Sequence, residues 1–213
     1  TVNVRRSQVE EGVEKVKSSI AEHGFWRSSP ITIRLHPDSS SQYEYEVVVG
    51  QCRMRACVEL GLEEIPAVIQ EIDDDNAIRV SWAENEGKSD ITPSDKAYWV
   101  HKIITRYVKE GKTLSECREI AAKFFAIKVP TVIKYHPMAF LPPKVSKMMD
   151  EGKLRIQDAE AIAKSTYDPS NPEGSEQKME ERAEWVIKLD RDEKKECTKV
   201  LEDLGPGGSI DEL

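Results

Sequence analysis

The chain has 213 residues, of which 33% are charged and 38% hydrophobic, and a formal net charge of −8. That length holds one large domain or two to three small ones, and the apolar content is too high for wholesale disorder. No apolar run approaches the ~20 residues that a spanning helix needs, so no contact with the membrane is expected. The start, Thr1-Val2-Asn3-Val4-Arg5-Arg6, has neither an initiator Met nor the apolar stretch of a signal peptide, so the chain reads as a trimmed piece. Its last four residues, Ile210 to Leu213, are not an ER retrieval signal.

The first predicted element is a helix over 7–20, with a capping-box pair at Ser7 and Glu10 and an apolar stripe of Val9, Val13, Val16 and Ile20. Gly24 is its stop. Strands follow over 31–34 and 43–49, joined by a polar loop, then a helix over 51–60 closed by Gly61. A third strand over 65–72 and a helix ending at Glu86 complete a small α/β domain.

From Thr92-Pro93 onward only helices are predicted. They cover 94–109, 114–124 (opened by a capping box at Thr113 and Glu116), 130–136, 143–149 and 156–164. Residues 167–175 read as a linker and 176–204 as one charged helix. The expected domains are therefore 1–92, 93–166 and 167–213.

Net charge divides along the same lines. Residues 1–95 carry −8, residues 96–164 carry +7 and residues 165–213 carry −7. An acidic average hides a basic island suited to a polyanion. The four cysteines, 52, 57, 117 and 197, form no CxxC pair and meet no nearby His, which points to reduced buried thiols rather than to zinc.

Two junctions carry chemistry. In Val47-Val-Val-Gly50-Gln51-Cys52-Arg53-Met54-Arg55, glycine between a strand and a helix lets backbone approach a ligand, and the helix start attracts an anion. Arg53 and Arg55 add fork-shaped phosphate donors. The same pattern is also a tight turn with solvated arginines. In Glu84-Asn85-Glu86-Gly87-Lys88, a carboxylate and an amide oxygen suit Mg²⁺ whose other ligands are phosphate and water, with Lys88 within reach of those phosphates. Read alone, this is also an ordinary polar helix end.

In the helical part, Thr113 to His136 reads as a capped helix, a turn and a second helix. Ser115, Lys128, Thr131, Lys134 and Tyr135 are the candidate DNA contacts, with Lys153 and Arg155 at a later helix start. Two packed helices with a solvated basic face would give the same pattern. Pro137 should end the second helix early.

Together, His23-Gly24, Gly50-x-x-Arg53-x-Arg55-Ala56, Gly61 to Ala67, Glu84-Asn85 and Asp90 to Pro93, in that order, resemble the ParB/sulfiredoxin superfamily, and more specifically the ParB-type partition proteins. The resemblance spans about residues 4–165. It implies an α/β ParB/sulfiredoxin-like N-terminal domain followed by an all-α helix-turn-helix domain. It further implies CTP held with Mg²⁺ by the first domain and double-stranded DNA held by the second. By position, Gly50, Gln51, Arg53, Arg55, Asn85 and Lys88 would hold the nucleotide, with Glu84 and Asn85 at the metal. Gly24, Phe25, Trp26 and Arg27 would lie near the base. Self-association on DNA, a ParA-like ATPase or another partition adaptor as partner, and a cytoplasmic, nucleoid-associated setting follow from the same resemblance.

Three departures bear on chemistry. Gln51 stands where the family has Glu, and an amide cannot serve as a general base, so at most weak CTP hydrolysis is expected. Cys52 replaces a second Arg, and Lys88 replaces Arg, keeping charge without the fork. Cys52 is one place off the thiol of the sulfiredoxin box, which argues against reductase activity. A nucleotide-independent adaptor, and a phosphotransferase or nuclease on the same fold, stand as alternatives.

Overall fold

The computed structural model describes residues 6–7, 9–25, 29–87, 91–190 and 192–205. The chain divides into two units, Thr1–Ile91 and Thr92–Leu213. Each has its own core.

The first unit runs α1 (Val9–His23), β1 (Ile31–Leu35), β2 (Tyr45–Val49), α2 (Gln51–Glu59), β3 (Ala67–Ile69) and α3 (Asp74–Gly87). Its sheet has the order β2-β1-β3. β1 pairs β2 antiparallel, with an irregularity between Thr32 and Ile33, and pairs β3 parallel. The strand predicted over 65–72 is shorter than its apolar pattern suggested, because Pro66 lacks an N–H and Asp73 already turns the chain into α3.

The valine stripe of α1 is buried as predicted, with Val13 and Ile20 packed on Ala56 and Cys57 of α2. On another side Val48, Val49 and Ala77 seal β2 to α3. Lys17 and Glu59 brace α1 against α2 at 2.8 Å.

A charged residue also lies in the sheet. Arg34 is 3% exposed and donates to Glu46 at 2.6 Å, to the Ile72 carbonyl at 3.0 Å and to Asp74 at 2.5 Å. Burial opposes its charge, but the bonds to Asp74 and Glu46 outweigh that and hold it above the ordinary guanidinium value.

Among the described residues the second unit is helical throughout: α4 (Pro93–Lys109), α5 (Leu114–Phe125), α6 (Val129–Met138), α7 (Pro143–Asp150), α8 (Ile156–Thr166), α9 (Pro172–Lys188) and α10 (Glu193–Leu204). Thr92 caps α4 by accepting from Asp95 N, and Ser94 ties that helix start to Asp150 through its N–H and its hydroxyl. The capping box of α5 is formed, with Thr113 Oγ1 accepting from Glu116 N and Glu116 Oε2 accepting from Thr113 N.

The segment after Tyr167 differs from expectation. It makes two helices, not one, because Asp190 accepts from the N–H groups of Asp192 and Glu193 and restarts the chain. Neither helix stands apart. Met179, Ala183 and Val186 of α9 and Cys197 and Leu201 of α10 share one core with Met138, Val145, Leu154 and Ile162. Arg182, 1% exposed, donates to Ser165, Thr166 and the Gly205 carbonyl, fastening the residue that closes α10 to the end of α8.

Candidate functional site

β2 passes into α2 through the single residue Gly50, whose φ of 94° lies in the left-handed region. A Cβ there would stand 2.8 Å from Ile31 Cγ2 and 3.0 Å from an Arg53 nitrogen, so the turn admits only glycine. Gly50 brings no side-chain cap to the helix start.

Arg53, in the first turn of α2, reaches across the sheet end. Its Nη1 donates to the Ser29 carbonyl, to Ser29 Oγ at 2.7 Å and to the Pro30 carbonyl at 3.0 Å. Its Nη2 stands 3.8 Å from Glu84 Oε1 on α3. Thus Gly50, Arg53 and Glu84, far apart in the chain, meet at one place: a fork-shaped cation and a carboxylate beside a helix N-terminus. A phosphate beside Arg53 with a divalent cation beside Glu84 would satisfy both.

Other predicted residues lie elsewhere. Residues 53 and 55 are two apart on a helix, so their side chains diverge. Arg55 turns to α1, where both oxygens of Glu10 accept from its Nη2 at 2.8 Å. That bond raises its pKa above the ordinary guanidinium value. Glu10, expected in a capping box with Ser7, gives both its carboxylate oxygens to this pair.

Asn85 is buried and donates to the Ser81 carbonyl at 2.7 Å, back along its own helix. That bond uses the amide nitrogen of Asn85, and among the described residues no group of three or more His, Cys, Asp or Glu could hold a metal. One carboxylate plus triphosphate oxygens is a usual donor set for Mg²⁺.

Gly24 closes α1, its N–H bonding the Ile20 carbonyl at 2.8 Å, and Phe25 packs against the α1–α2 core. Gln51 is half-buried at the helix start, and Cys52 points its thiol toward the Val9 carbonyl at 3.9 Å. Trp26, Arg27 and Lys88 lie outside the described residues. The Ser29 and Pro30 carbonyls that fix Arg53 were not foreseen, since backbone acceptors leave no trace in residue identity.

In the second unit α5 and α6 are joined by a short turn through Ala126, a non-glycine residue at φ 53°, ψ 37°. Ser115 and Lys128 are exposed, while Thr131 and Lys134 are half-buried. Tyr135, expected to face outward, packs against the helical core because position 135 falls one turn from the buried Val132 and Met138. Ile133 is exposed on the same helix. Pro137 sits inside the last turn of α6, which ends one residue later at Met138.

Behind α6, His136 stacks on His101 of α4, with ring nitrogens 3.4 Å apart. Burial first, then the charges of His101 and Arg118, lower His136 to about 4. Lys153 pairs with Glu151 at 2.7 Å. Arg155 is engaged by Asp158 at 2.7 and 2.8 Å and by the Lys194 carbonyl, so its fork joins α8 to α10.

Residues 1–86 match the family model of the ParB N-terminal domain. The chromosome-partitioning protein Spo0J of Thermus thermophilus is 27% identical over 158 residues, 74% of this chain and 53% of that protein. The chain spans about half the length of the curated relatives it matches.

Two solved structures of C-terminally truncated ParB from Caulobacter crescentus are also similar. The one complexed to the centromeric parS site has a TM-score of 0.48 and 25% identity over 94% of this chain and 90% of that one. The one complexed with CTP-gamma-S has a TM-score of 0.35 and 28% identity over 80% and 89%. Residues 1–86 are a ParB N-terminal domain, and over about three quarters of its length the chain is similar to ParB-type partition proteins.

Proposed function

We propose that the chain acts in chromosome partition by holding double-stranded DNA on α5–α6 and a nucleoside triphosphate, CTP with Mg²⁺, at the start of α2. The meeting of Gly50, Arg53 and Glu84 carries this reading. Arg53 would take a phosphate by its fork, Glu84 would be the protein ligand of the Mg²⁺ ion, and the Gly50 turn would let backbone approach the triphosphate. On DNA, Ser115 and Lys128 at the exposed helix starts would meet phosphates first, with Thr131 and Lys134 behind them. Partition further calls for self-association on DNA, for a ParA-like ATPase or similar adaptor as partner, and for residence on the nucleoid. Among the described residues no helix is long and apolar enough to cross a membrane.

Sedimentation of the protein with duplex DNA, with and without Mg²⁺ and CTP, tests the whole reading. The expected result is a DNA complex whose protein stoichiometry rises with CTP. A DNA complex indifferent to CTP, ATP and GTP would instead assign a nucleotide-independent adaptor, the reading that Arg55 bound to Glu10, and Cys52 in place of Arg, would favour.

A further inference from the structure

β3 lies at the sheet edge, and all three of its residues are exposed. Ile31 N donates to the Pro66 carbonyl at 3.0 Å, and Gln70 N donates to the Ile33 carbonyl at 2.9 Å. With Ile31 opposite Ala67 and Ile33 opposite Ile69, the parallel ladder turns the backbone groups of Pro66, Val68 and Gln70 toward β1. Ala67 and Ile69 alternate with them, so their N–H and C=O groups point to the open edge. The same register leaves these four groups outside the β1–β3 ladder. They stand two residues apart, the repeat at which an added strand bonds.

The edge is also apolar. Val68 is 44% exposed, Ile69 59% and Leu35 57%. Alternation puts Leu35 and Ile69 on one face and Val68 on the other. No charge or proline lies within the strand, although such residues usually protect an edge. Charge gathers at its ends. Residues 56–78 hold seven carboxylates and no Lys or Arg, with Glu63 and Glu64 exposed before the strand and Glu71, Asp73 and Asp74 exposed after it.

We propose that the β3 edge accepts an extended segment of a partner protein as a fourth strand, one with alternating apolar residues flanked by Lys or Arg. Ala67 and Ile69 supply the main-chain bonds, Val68, Ile69 and Leu35 the apolar contacts, and the acidic ends select basic flanks. A second copy fits poorly, because pairing β3 with β3 brings carboxylates against carboxylates at both ends.

The test is amide exchange by NMR on the full chain, with a synthetic peptide alternating Val and Thr between paired lysines as probe. The lysine peptide should slow exchange at Ala67 and Ile69 about ten-fold, and a glutamate-flanked counterpart should bind about ten-fold more weakly. Ala67→Pro removes an N–H that bonds nothing within the sheet and should abolish the protection. Ile69→Lys should weaken binding about ten-fold, and it serves if the proline variant does not fold. Three results would overturn the proposal: no protection at about 1 mM peptide, equal binding of both peptides, or protection that appears without peptide and grows with protein concentration.

Discussion

Gly50 and Arg53 act as one device. The positive φ frees the backbone at the end of β2, and the missing Cβ leaves room for the guanidinium that spans residues 29–30 and Glu84. Gly50→Ala should therefore cost about 1–3 kcal/mol in chemical denaturation, the sum of left-handed strain and a 2.8 Å collision. A variant as stable as the parent would show that the turn rearranges freely. The histidine pair sets a pH dependence with a definite sign. His136 is depressed to about 4 in the folded protein against 6.5 for an ordinary histidine, so the unfolded chain binds the proton first as pH falls. Its contribution is whole above pH 6.5 and is lost progressively toward pH 4. Thermal melts of His136→Gln should lose less stability than the parent across that window; parallel curves would remove His136 from the account.

At the scale of elements, helices were legible wherever a stripe and a cap coincided. The valine stripe of α1 and the Thr113–Glu116 box of α5 are both formed as read. What the pattern could not carry is the choice among partners. Arg53 and Arg55 look alike in the chain, yet helical geometry sends one to Glu84 and the other to Glu10. Tyr135, read as a DNA contact, is half-buried and packs on the helical core one turn from Val132 and Met138. Likewise the break between α9 and α10 rests on one aspartate bonding two N–H groups, which charge composition does not reveal. For α6 the basic side chains nonetheless lie at or near the surface. Lys128→Ala with Lys134→Ala should weaken duplex binding for all sequences and lower the slope of log affinity against log salt by about 2. An unchanged slope would move the contact elsewhere.

Across the whole molecule, the net charge conceals its distribution. The −8 of the chain resolves into acidic ends and a basic middle, and that middle contains most of α4, all of α5 to α7 and most of α8. The acidic C-terminal helices are structural as well, since Met179 and Leu201 are fully buried in the core that supports α6 through Met138. Met179→Ala or Leu201→Ala should each cost about 2–5 kcal/mol by urea unfolding, and removing 167–213 should unfold the helical unit. A truncated chain with unchanged helicity and cooperative melting would show that these helices are dispensable.

The claim on which the rest depends is that Gly50, Arg53 and Glu84 form a nucleotide site. Isothermal titration of the protein with CTP and Mg²⁺, beside Arg53→Ala and Glu84→Gln, reads it directly. Saturable binding should be seen, weakened about ten-fold or more by Arg53→Ala, and should lose its dependence on Mg²⁺ in Glu84→Gln. No heat of binding with CTP, ATP or GTP, or equal binding by all three proteins, would contradict it.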